Sequence, residues 1–363
     1  MNKKAVFPGQ YIQGRGAINE LPFLIRLLGS KGIILCSKFV KDKIIPKFVS
    51  KEISENIKIE IFKGECCEEE LARISSLVRN ENADVIIGMG GGKVIDTAKI
   101  TADRVNIPVI IVPTIASTDA PCSGCAVTYS PDGVFEAVYY QKKNPSAVLV
   151  DMNIIANSPV RFLVAGMGDA LATWFEARSC ESSQSVNECG GLTTLAGLHI
   201  AKLCYETLLE YGVMAKEANE NHDITPALEY ITEANILLSG IGFESSGLAS
   251  AHAVHNGLTA LNETHAFYHG EKVAFGVLTG LHLTAASSEE INTVYSFSES
   301  VGLPTTFSGL GITNTDKSYI LKAAEKACVT ESSIHHESCE VTPDKVLDAM
   351  IMADSFGKSR KIN

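Results

Sequence analysis

The sequence predicts an α/β domain over residues 1–157 followed by an all-helical domain over residues 158–363. Three observations carry this. Strand-like and helix-like patterns alternate through the first 150 residues; a glycine-rich turn joins one of those strands to a helix; and strand signals nearly vanish after Ser158-Pro159, where long segments of helical spacing take over. A chain of 363 residues is too long for one typical small domain and suits two, each able to bury its own core.

Four segments read as strands: Gly32 to Cys36, Ile57 to Phe62, Asp84 to Gly88 and Pro108 to Val112. With amphipathic segments between them, they favour a mostly parallel sheet whose ligands gather at the strands' C-terminal edge. The third runs into Gly88, Gly90, Gly91 and Gly92, then into a helical pattern with Val94, Ile95 and Ala98 on one side. Such a turn lets main chain approach a ligand closely. The helix after it offers unpaired N–H groups and a positive dipole end to an anion such as a pyrophosphate. Glycine-rich turns also form for packing alone, and neither standard nucleotide fingerprint is present: G-x-G-x-x-G would need glycine at Val94 or Ile95, and no Gly-Lys-Ser/Thr follows. After the fourth strand, the polar loop Pro113 to Pro121 would meet the same cleft, and Ser130-Pro131-Asp132-Gly133 marks a hairpin turn.

In the second half, Leu192 to Tyr211, Thr225 to Leu238 and Ala251 to Leu261 show helical spacing. His252 and His255, three apart, share one helical face, and His269 opens the next element in His269-Gly270-Glu271-Lys272. Converging neutral imidazoles suit a divalent metal, so one of the pair and His269 are candidate ligands. Asp169, a carboxylate at an otherwise apolar helix start in Gly166-Met167-Gly168-Asp169-Ala170-Leu171, is the candidate third. Spacing alone leaves His252 and His255 equivalent, and helical histidines are also common as ordinary core or surface residues. The cleft between the two domains is the expected place for chemistry.

Composition narrows the function classes. With 45% apolar and 20% charged residues the chain reads as an ordinary globular protein, and a formal net charge of −11 argues against nucleic acid or an anionic membrane as partner. No stretch of eighteen uninterrupted apolar residues occurs, and the segment Met1 to Pro8 lacks the apolar core of a signal peptide, so a cytoplasmic location is expected. The ten cysteines are scattered and read as reduced thiols; Cys122-Ser123-Gly124-Cys125 lacks the second pair a zinc cage would need.

Phe7-Pro8-Gly9-Gln10-Tyr11, the run Gly90 to Lys99, Pro113-Thr114, Gly168-Asp169-Ala170, Ala251 to Gly257 and His269 to Gly276 occur in one order along the chain. On these motifs the sequence resembles the polyol branch of the iron-containing alcohol dehydrogenase superfamily over essentially its whole length. The resemblance implies a dinucleotide-binding α/β domain joined to an all-α metal-binding domain, the dehydroquinate synthase-like architecture. It implies one zinc ion per subunit, bound by Asp169, His252 and His269, with His255 nearby as a non-ligand. It also implies NAD across the glycine-rich turn, with Gly91, Gly92 and Lys93 near the pyrophosphate, Thr114, Ser117 and Ser123 along its path, and Val127 and Tyr129 flanking the nicotinamide. Asp119 matches the family's substrate-contacting aspartate; the three metal residues complete the substrate site.

Two positions depart from the family pattern. Iron-type relatives place a histidine four residues after the aspartate, where this chain has Thr173, which favours zinc over iron. Close relatives carry an acid after the second strand, at the adenosine ribose, where this chain has Ser37 and then Lys38.

The activity implied is NAD-dependent, zinc-assisted oxidation of a small polyol such as glycerol, by a homo-oligomer of which an octamer is one form. Two rivals of the same fold, a glycerol-1-phosphate dehydrogenase and a dehydroquinate synthase, need cations beside the metal for an anionic substrate. The segments around His252 and His269 supply few, and Asp119 would repel an anion. A homologue that binds nucleotide without catalysis would be expected to have lost a ligand or the glycine-rich turn, and this chain keeps both.

Overall fold

The alternating first half folds into a six-stranded sheet that is parallel throughout. In this computed structural model, which describes residues 1–49 and 57–360, the strands are β1 (Tyr11–Gly14), β2 (Gly32–Cys36), β3 (Ile57–Ile61), β4 (Val85–Gly90) and β5 (Val109–Pro113). An antiparallel hairpin of β6 (Cys125–Tyr129) and β7 (Phe135–Tyr140) then precedes β8 (Ala147–Asp151), which returns to the sheet. The order across the sheet is β1-β8-β5-β4-β2-β3. Residues 361–363, the end of the second expected domain, lie outside the described residues, as do 50–56.

Strands β2, β4, β5 and β8 are buried along their whole length. Ile33, Leu35, Ile86, Ile111 and Val148 point to one core, and Ile34, Ile87, Ile110, Val112 and Leu149 to the other. Helices on both faces are why these strands read as unbroken apolar runs instead of alternating ones. The helices of this half are α1 (Leu21–Leu28), the short α2 (Ile45–Phe48), α3 (Glu68–Glu81) and α4 (Gly92–Val105). Three glutamates open α3 against the positive end of its dipole, and Asn82 and Asn106, in left-handed conformation, end α3 and α4.

Register decides where the loops meet. Cys36 lies level with Met89, and Gly90 with Pro113. The chain therefore leaves β2, β4 and β5 side by side, bringing Ser37, Gly91 and Thr114 to one edge. The glycine run is divided more finely than the sequence suggests. Gly88 and Gly90 belong to β4 itself, and a Cβ on Gly88 would lie 2.7 Å from the Ala98 Cβ, so that glycine serves the close packing of α4 on the strand. Only Gly91 and Gly92 make the turn.

Beyond β8 the described residues form no further strand. The helices are α5 (Met152–Ile155), α6 (Val160–Ser183), α7 (Leu195–Glu220), α8 (Pro226–Glu233), α9 (Ser239–Ser246), α10 (Ser250–Leu258), α11 (His269–Leu283), α12 (Ser288–Val301), α13 (Lys317–Ala327) and α14 (Pro343–Arg360). Side-chain caps start several: Thr194 accepts from Gly197 N–H, Thr225 from Leu228 N–H and Ser287 from Glu290 N–H. Asp169 lies in the third turn of the 24-residue α6, where the sequence suggested a helix start. None of the described helices is long and apolar enough to cross a membrane.

Candidate active site

Three helices carry the histidines and the aspartate to one point. Asp169 comes from α6, His252 from α10 and His269 from the first position of α11. Two glycines allow the crossing of α6 with α11. A Cβ on Gly168 would lie 2.3 Å from the carbonyl oxygen of Gly270, and one on Gly270 only 1.8 Å from that of Ala165. Main chain thus rests on main chain beside both ligand candidates, which accounts for glycine next to Asp169 and next to His269. Oδ1 of Asp169 lies 3.1 Å from Nε2 of His269 and 3.5 Å from Nε2 of His252. Ligands about 2.0–2.1 Å from a tetrahedral ion stand about 3.3 Å apart, so the spacing fits. Asp169 is 1% exposed, and its Oδ1 has no hydrogen-bond partner. A buried carboxylate oxygen on which two imidazole nitrogens converge is a donor set that could hold a divalent cation.

Each imidazole is held from behind. His252 Nδ1 is 2.6 Å from Oε2 of Glu176, a buried α6 residue. His269 Nδ1 is 3.0 Å from Nε2 of His255, whose own Nδ1 is 3.0 Å from Oδ1 of Asn256. His255 therefore sits one step outside the cluster. Burial, then the charges of His269 and Lys272, hold its pKa well below the usual histidine value. Burial alone would lower His252, but Glu176 and Asp169 carry it well above. Burial would likewise raise Asp169, yet the facing His269 and His252 hold it far below the usual carboxylate range.

Asp119 is brought in from the loop after β5. Its main-chain N–H donates to Asp169 Oδ2 at 3.4 Å, and its Oδ2 accepts from Ser239 Oγ on α9 at 2.7 Å. Thr173 Oγ1, on α6, lies 2.9 Å from the same Ser239 Oγ. Burial and the neighbouring Asp169 charge push the Asp119 pKa up to about 8. The arrangement presents a carboxyl beside the cluster, fixed from both halves of the chain.

The opposite wall belongs to the sheet edge. Gly91 precedes α4 in extended conformation, and a Cβ on Gly92 would meet nothing within 4 Å, leaving open space over the first turn of the helix. Thr114 is anchored by its N–H on Gly90 O at 3.1 Å, and Ser117 lies buried in the loop that leads to Asp119. Ser37 Oγ accepts from Val40 N–H at 3.3 Å, starting a helical turn. Val127 N–H donates to Asp96 at 3.2 Å. Two further side chains have partners within the protein. Lys93 Nζ lies 2.5 Å from Glu65 Oε1 and 5.1 Å from the centre of the Tyr129 ring, so a neighbouring carboxylate already holds this ammonium. Ser123 is 1% exposed and its hydroxyl packs 3.3 Å from Lys99 Nζ, turned inward.

Lys99, Glu176 and Ser239 did not emerge from the sequence. Lys99 is fully buried on α4; its Nζ donates to Ala120 O at 2.8 Å and also to Cys125 O. That one ammonium pins both ends of the loop following Asp119. Lys99→Met would remove the ammonium from both carbonyls, leaving them only the longer contacts from the Ser123 hydroxyl, beside the buried Asp96. It is expected to destabilise the fold by about 3 kcal/mol in urea unfolding. A loss below about 1 kcal/mol would show that the loop holds its shape unaided.

Residues 8–152 match the family model described as iron-containing alcohol dehydrogenase. Along nearly its whole length the chain is 50% identical to the glycerol dehydrogenase of Thermotoga maritima, over 357 residues that cover 98% of each protein. It is 46% identical to the glycerol dehydrogenase of Escherichia coli over 97% of this chain and 96% of that one. Among solved structures, glycerol dehydrogenase from Schizosaccharomyces pombe superposes with a TM-score of 0.94 at 37% identity, covering 99% of this chain and 92% of that one.

Proposed function

The chain belongs to the iron-containing alcohol dehydrogenase family, in its glycerol dehydrogenase branch. From that premise we propose that it oxidises glycerol to dihydroxyacetone, and related vicinal diols, by hydride transfer to NAD at a zinc ion held by Asp169, His252 and His269. One observation carries the metal reading: Asp169 Oδ1, buried and unpaired, faces two imidazole nitrogens across a gap of ionic size. One carboxylate and two imidazoles form a donor set that suits zinc, and Thr173 offers no imidazole for a fourth protein ligand.

When bound, zinc supplies a Lewis acid that eases loss of the alcohol proton, and NAD supplies the hydride acceptor. This chain's residues supply the geometry. Ser239 fixes the Asp119 carboxyl, which accepts a hydrogen bond from a substrate hydroxyl and orients the carbinol carbon toward the sheet edge. Gly91, Gly92 and the first turn of α4 cradle a pyrophosphate, with room for it where a Gly92 side chain would stand. Thr114 and Ser117, from the loop after β5, and Val127 and Tyr129, from the hairpin beside α4, would flank the rest of the dinucleotide. A cation bound at the cluster would favour the ionised form of Asp119, which beside Asp169 would then disfavour an anionic substrate, and the nearby Lys99 ammonium is taken up by main-chain carbonyls. That supports a neutral polyol over a phosphorylated one.

We further place the domain boundary near residue 157 and read the protein as a cytoplasmic homo-oligomer. All ten cysteines are free among the described residues, which supports a reducing compartment. The deciding experiment is metal analysis of the purified protein beside NAD reduction over a panel of polyols. Stoichiometric zinc with glycerol-dependent NADH formation is expected; metal without any alcohol-dependent reduction would remove the reading.

Cofactor choice gives a sharper check. With Ser37 at the β2 edge and the exposed Lys38 beside it, discrimination against NADP is expected to be weaker than an acid there would impose, with NAD still the better substrate. Ser37→Asp is expected to lower kcat/KM for NADP by about tenfold by setting a negative charge against the 2′-phosphate. An unchanged value would mean that residue 37 does not face the ribose.

A further inference from the structure

We propose that Glu176 is the positioning residue that holds His252 in the one tautomer able to take a metal, an inference that rests on the metal reading above. Glu176 follows Asp169 by seven residues on α6, two turns along the same face, so one helix presents both carboxylates toward α10. The two oxygens of this buried side chain have different partners. Oε1 accepts the main-chain N–H groups of Ala249 and His252, at 2.8 and 2.9 Å. Oε2 lies 2.6 Å from His252 Nδ1. With Oε1 taken by two main-chain donors, Oε2 meets Nδ1 as an acceptor, so Nδ1 carries a proton and Nε2, directed at Asp169, is the nitrogen left to offer a lone pair to a metal. The two N–H groups bound by Oε1 are ones that the start of α10 would otherwise leave unpaired. Helix start and ring orientation are thus fixed by one carboxylate.

The second imidazole is supported differently. Behind His269 stands His255, a neutral ring backed in turn by an amide. His252 is the imidazole with charge behind it and therefore the more basic donor.

The isosteric variant Glu176→Gln separates this role from mere space filling. An amide has one oxygen and one NH2. Two main-chain donors call for the oxygen at their side, and the NH2 then faces Nδ1, which must become an acceptor. The ring proton moves to Nε2 and donation to a metal is blocked. If the amide flips instead, the start of α10 loses its acceptor and the ring loses its charged partner.

The test compares zinc binding by metal-free wild type and Glu176→Gln, in competition with a chromogenic chelator. It is joined to 15N NMR of the histidine ring nitrogens in the metal-free wild type, read at a pH high enough for the His252 ring to be neutral and so to show which nitrogen keeps its single proton. Zinc binding about 10–100-fold weaker in the variant is expected, with the His252 proton on Nδ1 in the wild type. Equal zinc affinity in a folded variant, or a proton on Nε2 in the wild type, would overturn the assignment. Should the variant not fold, the wild-type tautomer decides alone. Wild type that binds no zinc would defeat the metal reading of the site, while the tautomer would still judge Glu176.

Discussion

Asp169→Asn is expected to leave a folded protein that holds almost no zinc and turns over glycerol on the order of 10³-fold more slowly or worse, since a metal contributes several kcal/mol to such a barrier. The amide matches the carboxylate in shape, and its oxygen can keep the hydrogen bond from Asp119 N–H. What it removes is the charge between His252 and His269, and a site with three protein ligands has no spare. A second consequence appears in the metal-free protein. His269 and His252 hold the Asp169 carboxyl far below the usual carboxylate range, so its charge contributes stability above the unfolded pKa that the amide forfeits. The melting temperature of the metal-free variant should therefore fall below that of the metal-free parent at neutral pH, by a margin that shrinks as the pH is lowered. Full zinc occupancy in Asp169→Asn, measured by elemental analysis, would dismiss Asp169 as a ligand.

Substrate charge gives the other large effect. Glycerol should be oxidised with a kcat/KM at least about 10²-fold above that for glycerol 1-phosphate, because a phosphate would have to sit near Asp119 without a positively charged side chain of its own to pair with. 1,2-Propanediol should also react. Asp119→Asn should cost about 10²-fold in kcat/KM for glycerol, the size of one well-placed polar interaction, while easing entry of anionic 2-oxo compounds in the reverse direction. A parent enzyme that preferred glycerol 1-phosphate would point to a phosphate pocket in the helical half and end the polyol reading.

Much of this arrangement is legible in the chain, for identifiable reasons. Strands β2, β4 and β5 announce themselves because burial on both faces makes each an unbroken apolar run between turn residues, and β3, at the sheet edge, by its alternation of isoleucine with charged residues. β1 does not: it is a four-residue, half-buried edge strand whose pattern matches an ordinary loop. β8 follows a hairpin and rejoins the sheet between β1 and β5, a pairing that no local signal encodes. His252, His269 and Asp169 stand out because charged or imidazole groups in apolar helices need a reason. The choice of His252 over His255 came from family resemblance, not from spacing. Ser239 and Lys99 escaped because their partners, Asp119 and the loop after it, are distant in sequence or ordinary in composition. Glu176 did leave a trace, a second carboxylate two turns from the first within one apolar helix. Packing, one of the two uses a glycine-rich turn can have, is the role of Gly88, but composition does not say which glycine of the run takes it.

The snug seating of Thr173 has a consequence for how this site could change its metal. Thr173 is 1% exposed, one turn beyond Asp169, and its methyl group lies so near α9 that a Cβ on Gly242 would come within 2.6 Å of it. Iron-type relatives carry an imidazole at this point. Here the space an imidazole would need is filled by a neighbouring helix, at the density of a protein interior where even one added methylene is felt. Thr173→His alone would have to push α9 outward, and with it Ser239 and the carboxyl that Ser239 steadies. If zinc is the ion held here, as proposed above, selectivity would be guarded by occupied volume as well as by ligand chemistry, and a lineage exchanging one metal for the other would first have to move a helix.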